Sequence, residues 1–97
     1  MKTIGEIKGI LAEHKEDLQR RFKVSDIGLF GSYVKKTQSR RSDVDILVDF
    51  QESISLLDLV KLENFLTSLL EVKVDLVPKE DIRRELKEII LKEAIYV

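Results

Sequence analysis

The stretch from residue 27 to residue 50, IGLFGSYVKKTQSRRSDVDILVDF, constrains the fold of this chain more than any other. It places a glycine after one apolar run and two aspartates at the start of the next. Alternate residues of a β-strand share a face, so Asp43 and Asp45 would lie together on one face of the second strand. The opposite face would be apolar and consist of Val44, Ile46, Val48 and Phe50. Carboxylates two residues apart are separated by roughly 7 Å along a strand, so the pair could converge on two cations about 4 Å from each other.

The pair Gly31-Ser32 follows directly after the first of these apolar runs. A glycine lets the backbone approach a ligand closely. If a short helix begins at Ser32, its N–H groups and hydroxyl would face a phosphate with the helix dipole behind them. Gly-Ser pairs are also common in ordinary turns, so the pair by itself leaves both interpretations open.

Gly31-Ser32, ten intervening residues and then Asp43-Val44-Asp45 resemble the signature of the nucleotidyltransferases of the DNA polymerase β superfamily. The short chain resembles the minimal nucleotidyltransferase (MNT) antitoxin branch of that superfamily. The surrounding sequence agrees, because apolar strands precede the glycine and carry both aspartates. A third apolar strand, Val72 to Val77, carries a lone acid, Asp75.

The resemblance implies a catalytic and metal-binding role for three carboxylates. Asp43 and Asp45 would hold two Mg²⁺ ions, and Asp75 would ligate the catalytic ion and help to deprotonate the acceptor hydroxyl. Acidic oxygens suit Mg²⁺, which typically binds through one or two carboxylates plus substrate phosphates. Without cations the three carboxylates would repel one another, so such an arrangement costs stability unless metal occupies it.

The resemblance also implies that Gly31 and Ser32 bind the β and γ phosphates of ATP. Family members usually carry an arginine directly after Gly-Ser and a small glycine-containing turn a few residues later. This chain has Tyr33 and Lys36 at those positions. Lys35 could replace part of the missing phosphate contact.

The partner implied by the resemblance is a HEPN-domain toxin, a ribonuclease that minimal nucleotidyltransferases silence by adenylylating a tyrosine. Such a small domain could form a hetero-oligomer with that partner or a homo-oligomer. Two other functions remain open. The chain could neutralise its partner by occlusion without catalysis, or it could modify a small hydroxyl compound such as an aminoglycoside.

Length and composition restrict the remaining classes of function. With 97 residues the chain is expected to form one domain over residues 1–97. Its 17 basic and 18 acidic side chains nearly cancel, so direct nucleic-acid binding is not expected. Cysteine is absent and no apolar run approaches the ~20 residues of a membrane span, so we expect a cytoplasmic protein without membrane attachment.

Hydrophobic periodicity predicts helices and strands in the order α-β-α-β-α-β-α. The resemblance implies that these elements form an α+β nucleotidyltransferase fold with a mixed sheet of three to four strands. A capping box is expected at Ser55, and the tail from Ala94 could add an edge strand. The predicted helices span Thr3–Phe22, a short segment that begins at Ser32, 56–70 and Lys79–Glu93. The predicted strands span Val24–Phe30, 43–50 and Val72–Val77.

Two further groups of residues have a structural and a functional interpretation. His14 is the only histidine, but it lies on the apolar stripe of the first helix, where packing explains it, and it is left out of the site. Residues 35–41 contain four cations without an acid, which could be solvated, could screen a triphosphate or could dock a partner.

Overall fold

The computed structural model describes residues 2–31 and 43–97. These residues form four α-helices, a short 3₁₀ helix and a four-stranded mixed sheet, which confirms the predicted α+β class. In chain order the elements are α1 (Ile4–Glu13), α2 (Lys15–Phe22), β1 (Val24–Phe30), β2 (Val44–Phe50), α3 (Leu56–Leu70), β3 (Val74–Pro78), the 3₁₀ helix (Lys79–Asp81), α4 (Arg84–Glu93) and β4 (Ile95–Tyr96).

The strands lie in the order β3-β2-β1-β4. β1 runs antiparallel to both β2 and β4, whereas β2 and β3 are parallel. This parallel pair needs a crossover, and α3 supplies it. The predicted extra strand in the tail is present as β4, at the edge next to β1.

The core lies on the apolar face of the sheet. Val44, Ile46 and Val48 of β2 are fully buried there, as their alternation predicts. The helices contribute leucines and an isoleucine at helical spacing to the same cluster, namely Ile7, Leu11, Leu18, Leu62, Leu66 and Leu70. Alternation therefore leaves Asp45 and Asp49 on the face turned away from these helices.

The first predicted helix is divided into α1 and α2, with His14 at the junction. Its ring Nδ1 lies 3.0 Å from the carbonyl oxygen of Ile10, one turn earlier. The His14 amide is shared between the carbonyls of Ile10 and Leu11, at 3.3 and 3.2 Å, so both the backbone and the ring of His14 meet the Ile10 carbonyl where α1 ends. His14 thus has a structural contact in α1.

Other boundaries also differ from the sequence prediction, and the short helix expected from Ser32 lies outside the described residues. The third strand begins two residues later than expected, at Val74, and includes Pro78. The last helix is preceded by the 3₁₀ turn and starts only at Arg84. Ser55 caps α3 by accepting a hydrogen bond from the Asp58 amide at 3.1 Å, which is one of the two bonds of the predicted capping box.

The first turns of α3 are more exposed than their apolar sequence suggested. Leu56, Leu57 and Val60 expose 76%, 63% and 47% of their surface, whereas Leu62, Leu66 and Leu70 later in the helix are completely buried. In the part of the chain that the structure describes, no helix combines the length and apolar character that crossing a bilayer requires.

Candidate active site

Gly31 directly follows β1 and has a left-handed conformation, with φ of 77°. Its neighbour Phe30 pairs with Asp45 in the antiparallel ladder, so the glycine lies beside that aspartate. A Cβ placed on Gly31 would lie 2.1 Å from Asp45 Oδ2 and 2.9 Å from Asp45 Cγ. The bare backbone at residue 31 is therefore the surface against which the Asp45 carboxylate packs.

Asp45 and Asp75 are direct neighbours in the parallel β2–β3 ladder. Side chains of directly paired residues project from the same face of a sheet. Asp45 is half-buried and Asp75 is exposed. Register thus places a carboxylate of the middle strand between Gly31 on one side and a second carboxylate on the other.

Asp43 immediately precedes β2 and is half-buried. Its carboxylate Oδ2 lies 3.8 Å from the ammonium of Lys73, and the amide of Val44 donates to the Lys73 carbonyl at 2.9 Å. The lysine side chain is 80% exposed, so this ion pair contributes little to stability. It does hold a cation next to Asp43.

Ser32 and Lys35, the other two predicted nucleotide-binding residues, lie outside the described residues. The same applies to Tyr33 and Lys36, where the chain departs from the family pattern, and to the rest of the basic run. The site is consequently described from Gly31, Asp43, Asp45 and Asp75.

The donor set matches Mg²⁺ in chemistry and in strand register. Carboxylate oxygens are its preferred protein ligands. Neighbouring strands lie ~4.8 Å apart, a separation across which two aspartates can share one ion. Among residues 2–31 and 43–97, however, no three His, Cys, Asp or Glu side chains are already gathered around one point that could hold a metal. Strand register brings Asp45 and Asp75 side by side, and the Asp43 carboxylate is paired with the ammonium of Lys73.

A cleft of about 470 Å³ lies at the other end of β2 and β3. Its walls are residues 48–50, 52–56, 59 and 78–81, and none of the described candidate residues lines it. The described acidic residues of the candidate site therefore lie outside this cleft.

Sequence reasoning missed three residues around the carboxylates. Lys73 faces Asp43, while Glu63 and Thr67 of α3 accept hydrogen bonds from the backbone of β3. Lys73 could have been found only by knowing the β2–β3 register, which periodicity does not give. The sequence shows that Glu63 and Thr67 are one helical turn apart, but it does not show which strand they contact.

The sequence of this chain is similar to that of nucleotidyltransferases. The family model described as a nucleotidyltransferase domain matches residues 11–97. A relative from Methanocaldococcus jannaschii, provisionally named a protein adenylyltransferase, is 49% identical over the full length of both chains. Protein adenylyltransferase MntA of Thermococcus cleftensis is 47% identical over all of this chain and 98% of its own length.

Solved structures agree with the sequence comparisons. A crystal structure of a toxin–antitoxin with AMP-PNP contains a chain that is 30% identical, with a TM-score of 0.70. The alignment covers 87% of this chain and 69% of that one. Fold and sequence thus lead to the same group of proteins.

Proposed function

The chain belongs to the nucleotidyltransferase domain family, and we propose that it transfers AMP from ATP to a tyrosine hydroxyl of a HEPN-type toxin, acting as its antitoxin. That it is a nucleotidyltransferase follows from the family and from its named protein adenylyltransferase relatives. Two similarities of this chain support the proposed acceptor. Its motif resembles that of minimal nucleotidyltransferases, and its fold is similar to that of a chain in a toxin–antitoxin crystal structure.

The observation that supports this proposal best is the position of Asp45. Its carboxylate packs on the bare backbone of Gly31 and stands in register beside Asp75. A nucleotide whose phosphates pass along Gly31 would therefore meet these carboxylates without a side chain of residue 31 between them. Two bound Mg²⁺ ions would stabilise charge on the attacking and leaving oxygens.

Each carboxylate then has a distinct task. Asp43 and Asp45 would hold the metal ions and orient the triphosphate. Asp75 would also ligate metal and would help to take up the proton of the acceptor hydroxyl as its oxygen bonds to the α-phosphorus and pyrophosphate leaves. Gly31, with Ser32 and Lys35 of the predicted set, would contact the phosphates. Proximity and charge neutralisation account for most of catalysis in such transfers.

The exposure of Asp75 favours a macromolecular acceptor. A small acceptor needs a concave pocket that buries most of its surface. The cleft of about 470 Å³ lies at the other end of the sheet and is not lined by Asp75, and we infer that a partner protein would complete the site around this exposed carboxylate. A tyrosine projecting from a partner surface meets this requirement.

A second candidate function is inhibition by binding alone. The exposed apolar residues Leu56, Leu57 and Val60 at the start of α3 form the kind of surface that protein partners cover. In this case the aspartates would not be needed for neutralisation of the toxin.

Labelled ATP distinguishes the two functions. The purified chain is incubated with Mg²⁺, ATP labelled in the α-phosphate and the protein encoded by the adjacent gene, and label on the partner is measured. Asp43→Asn and Asp45→Asn should abolish labelling while circular dichroism and melting show an intact fold. Asp26→Asn, which changes an exposed aspartate of the same sheet, is the matched control and should label normally.

Two results would contradict the proposal. Stoichiometric inhibition of the partner without label identifies a binding antitoxin. Undiminished labelling by both asparagine variants refutes the metal-based mechanism, whatever the acceptor.

A further inference from the structure

β3 carries Asp75 and is an edge strand, because among the described residues its only neighbour in the sheet is β2. The Lys73 carbonyl accepts from Val44 of β2, so the backbone groups of residues 73 and 75 point toward β2. Those of Val74 and Leu76 consequently point to the free edge. An edge strand presents backbone N–H and C=O groups that no neighbouring strand pairs, so these amides need another acceptor.

Two side chains of α3 occupy this edge. The amide of Val74 donates to Thr67 Oγ1 at 3.2 Å, and the amide of Leu76 donates to Glu63 Oε2 at 3.3 Å. Glu63 and Thr67 are one helical turn apart, so they face the strand together. Both side chains are half-buried, and their hydrogen bonds bracket Asp75 by one residue on either side.

We propose that Glu63 and Thr67 are positioning residues for Asp75. By holding the amides before and after it, they fix the strand so that the Asp75 carboxylate stays beside Asp45. This inference deepens the proposed function, since it concerns the same metal site. α3 is itself anchored in the core through Leu62 and Leu66, which flank these residues along the helix and are completely buried. The helix therefore supports β3 at the edge that, among the described residues, has no neighbouring strand.

Substitutions of Glu63 distinguish its role as a hydrogen-bond acceptor from an effect of its negative charge on the metal. If its role is to accept the Leu76 amide, Glu63→Gln keeps an acceptor oxygen and should preserve the site. If its negative charge attracts the metal directly, the glutamine loses that effect as fully as alanine does. Thr67→Ser likewise keeps the hydroxyl, whereas Thr67→Val keeps the shape and removes the acceptor.

The test uses the full chain with Mn²⁺ as the probe ion. Affinity is measured by titration calorimetry, and the ion is located by paramagnetic broadening of the Asp45 and Asp75 amide signals. Hydrogen exchange of the Val74 and Leu76 amides is recorded without metal. Exposed neighbours on the same helix provide the matched controls Asn64→Ala and Ser68→Ala.

Glu63→Ala and Thr67→Val should each accelerate exchange of the amide that they release. Each should also lower Mn²⁺ affinity by about 10-fold to 100-fold, as loss of a supporting contact around a metal site does. Glu63→Gln, Thr67→Ser and both controls should stay close to the unaltered chain in affinity and exchange.

The inference is overturned if Glu63→Ala and Thr67→Val lower the melting temperature but leave Mn²⁺ affinity unchanged, because the contacts are then only structural. It is also overturned if exchange at Val74 and Leu76 does not change, if Glu63→Gln is as weak as Glu63→Ala, or if the unaltered chain binds no Mn²⁺. Normal Mn²⁺ binding by an unaltered chain that fails to adenylylate its partner refutes the proposed function and leaves the positioning role intact.

Discussion

Replacement of Gly31 by alanine tests the contact between the Gly31 backbone and the Asp45 carboxylate. The backbone at residue 31 has φ of 77°, a region that disfavours side chains. The new Cβ would stand 2.1 Å from Asp45 Oδ2, whereas ordinary contact begins at 3.4 Å. Either the glycine backbone must unwind or the Asp45 carboxylate must withdraw.

Both responses have a calculable cost. The left-handed conformation alone should lower the free energy of unfolding by about 1–2 kcal/mol for Gly31→Ala. Withdrawal of the carboxylate by about 1 Å moves a proposed metal ligand out of place, and a misplacement of that size reduces the rate of an oriented reaction by roughly 100-fold. We therefore expect a modest loss of stability and a large loss of AMP transfer.

Urea unfolding followed by circular dichroism gives the first quantity, and initial rates of AMP transfer to the partner give the second. Gly9→Ala is the matched control. Gly9 lies in α1, and beyond the helix's own backbone no atom comes within 4 Å of the position that its Cβ would take. Alanine should therefore stabilise this helix by roughly 0.5–1 kcal/mol and leave transfer unchanged.

The reasoning is refuted if Gly31→Ala transfers AMP at the normal rate. If stability falls while transfer is unaffected, the carboxylate tolerates the methyl group without leaving its place, and the proposed link between Gly31 and Asp45 in catalysis is wrong. A chain too unstable to assay can be measured with Mg²⁺ and ATP present, which favour the folded state.

Three further outcomes are expected. Gly28→Ala should destabilise the chain measurably in urea, because the new Cβ would lie 3.1 Å from the Ile95 carbonyl oxygen and press β4 away from β1; an unchanged midpoint would contradict this. Ser55→Ala should cost about 1 kcal/mol by removing the cap on the Asp58 amide, as judged against Ser68→Ala in the same melting experiment. Millimolar Mg²⁺ with ATP should raise the melting temperature by several degrees through mass action, and a flat response would count against a nucleotide site.

The sequence predicted the sheet better than it predicted the helices, and the reason is periodicity. Alternation over residues 44–50 leaves one arrangement in which the valines and isoleucine are buried, and the structure has that arrangement. The first helix was predicted as continuous because an apolar stripe crosses His14 without interruption. The break lies at His14, where the backbone amide is shared between the carbonyls of Ile10 and Leu11, and hydrophobic spacing does not encode that change.

The site was predictable in its residue types but not in its contacts. The motif identified Gly31, Asp43 and Asp45 through resemblance, and Asp75 through its place in a third apolar strand. Strand order and register were hidden, since parallel pairing of β2 with β3 is decided by where α3 returns the chain. Lys73 beside Asp43 and the helix side chains on the β3 edge are consequences of that register.

The spacing between Gly31 and Asp45 has a physical basis that the motif alone does not reveal. Phe30 pairs with Asp45, so the ladder, and not the number of residues between them, brings the glycine to the carboxylate. A slip of β2 by one residue would turn Asp45 into the core and Ile46 toward the site. The buried alternation of Val44, Ile46 and Val48 opposes that slip, because it would expose three core side chains at about 1.5–3 kcal/mol each. The apolar face of β2 thereby fixes the position of its acidic face, and with it the place where a nucleotide would meet the metal ligands.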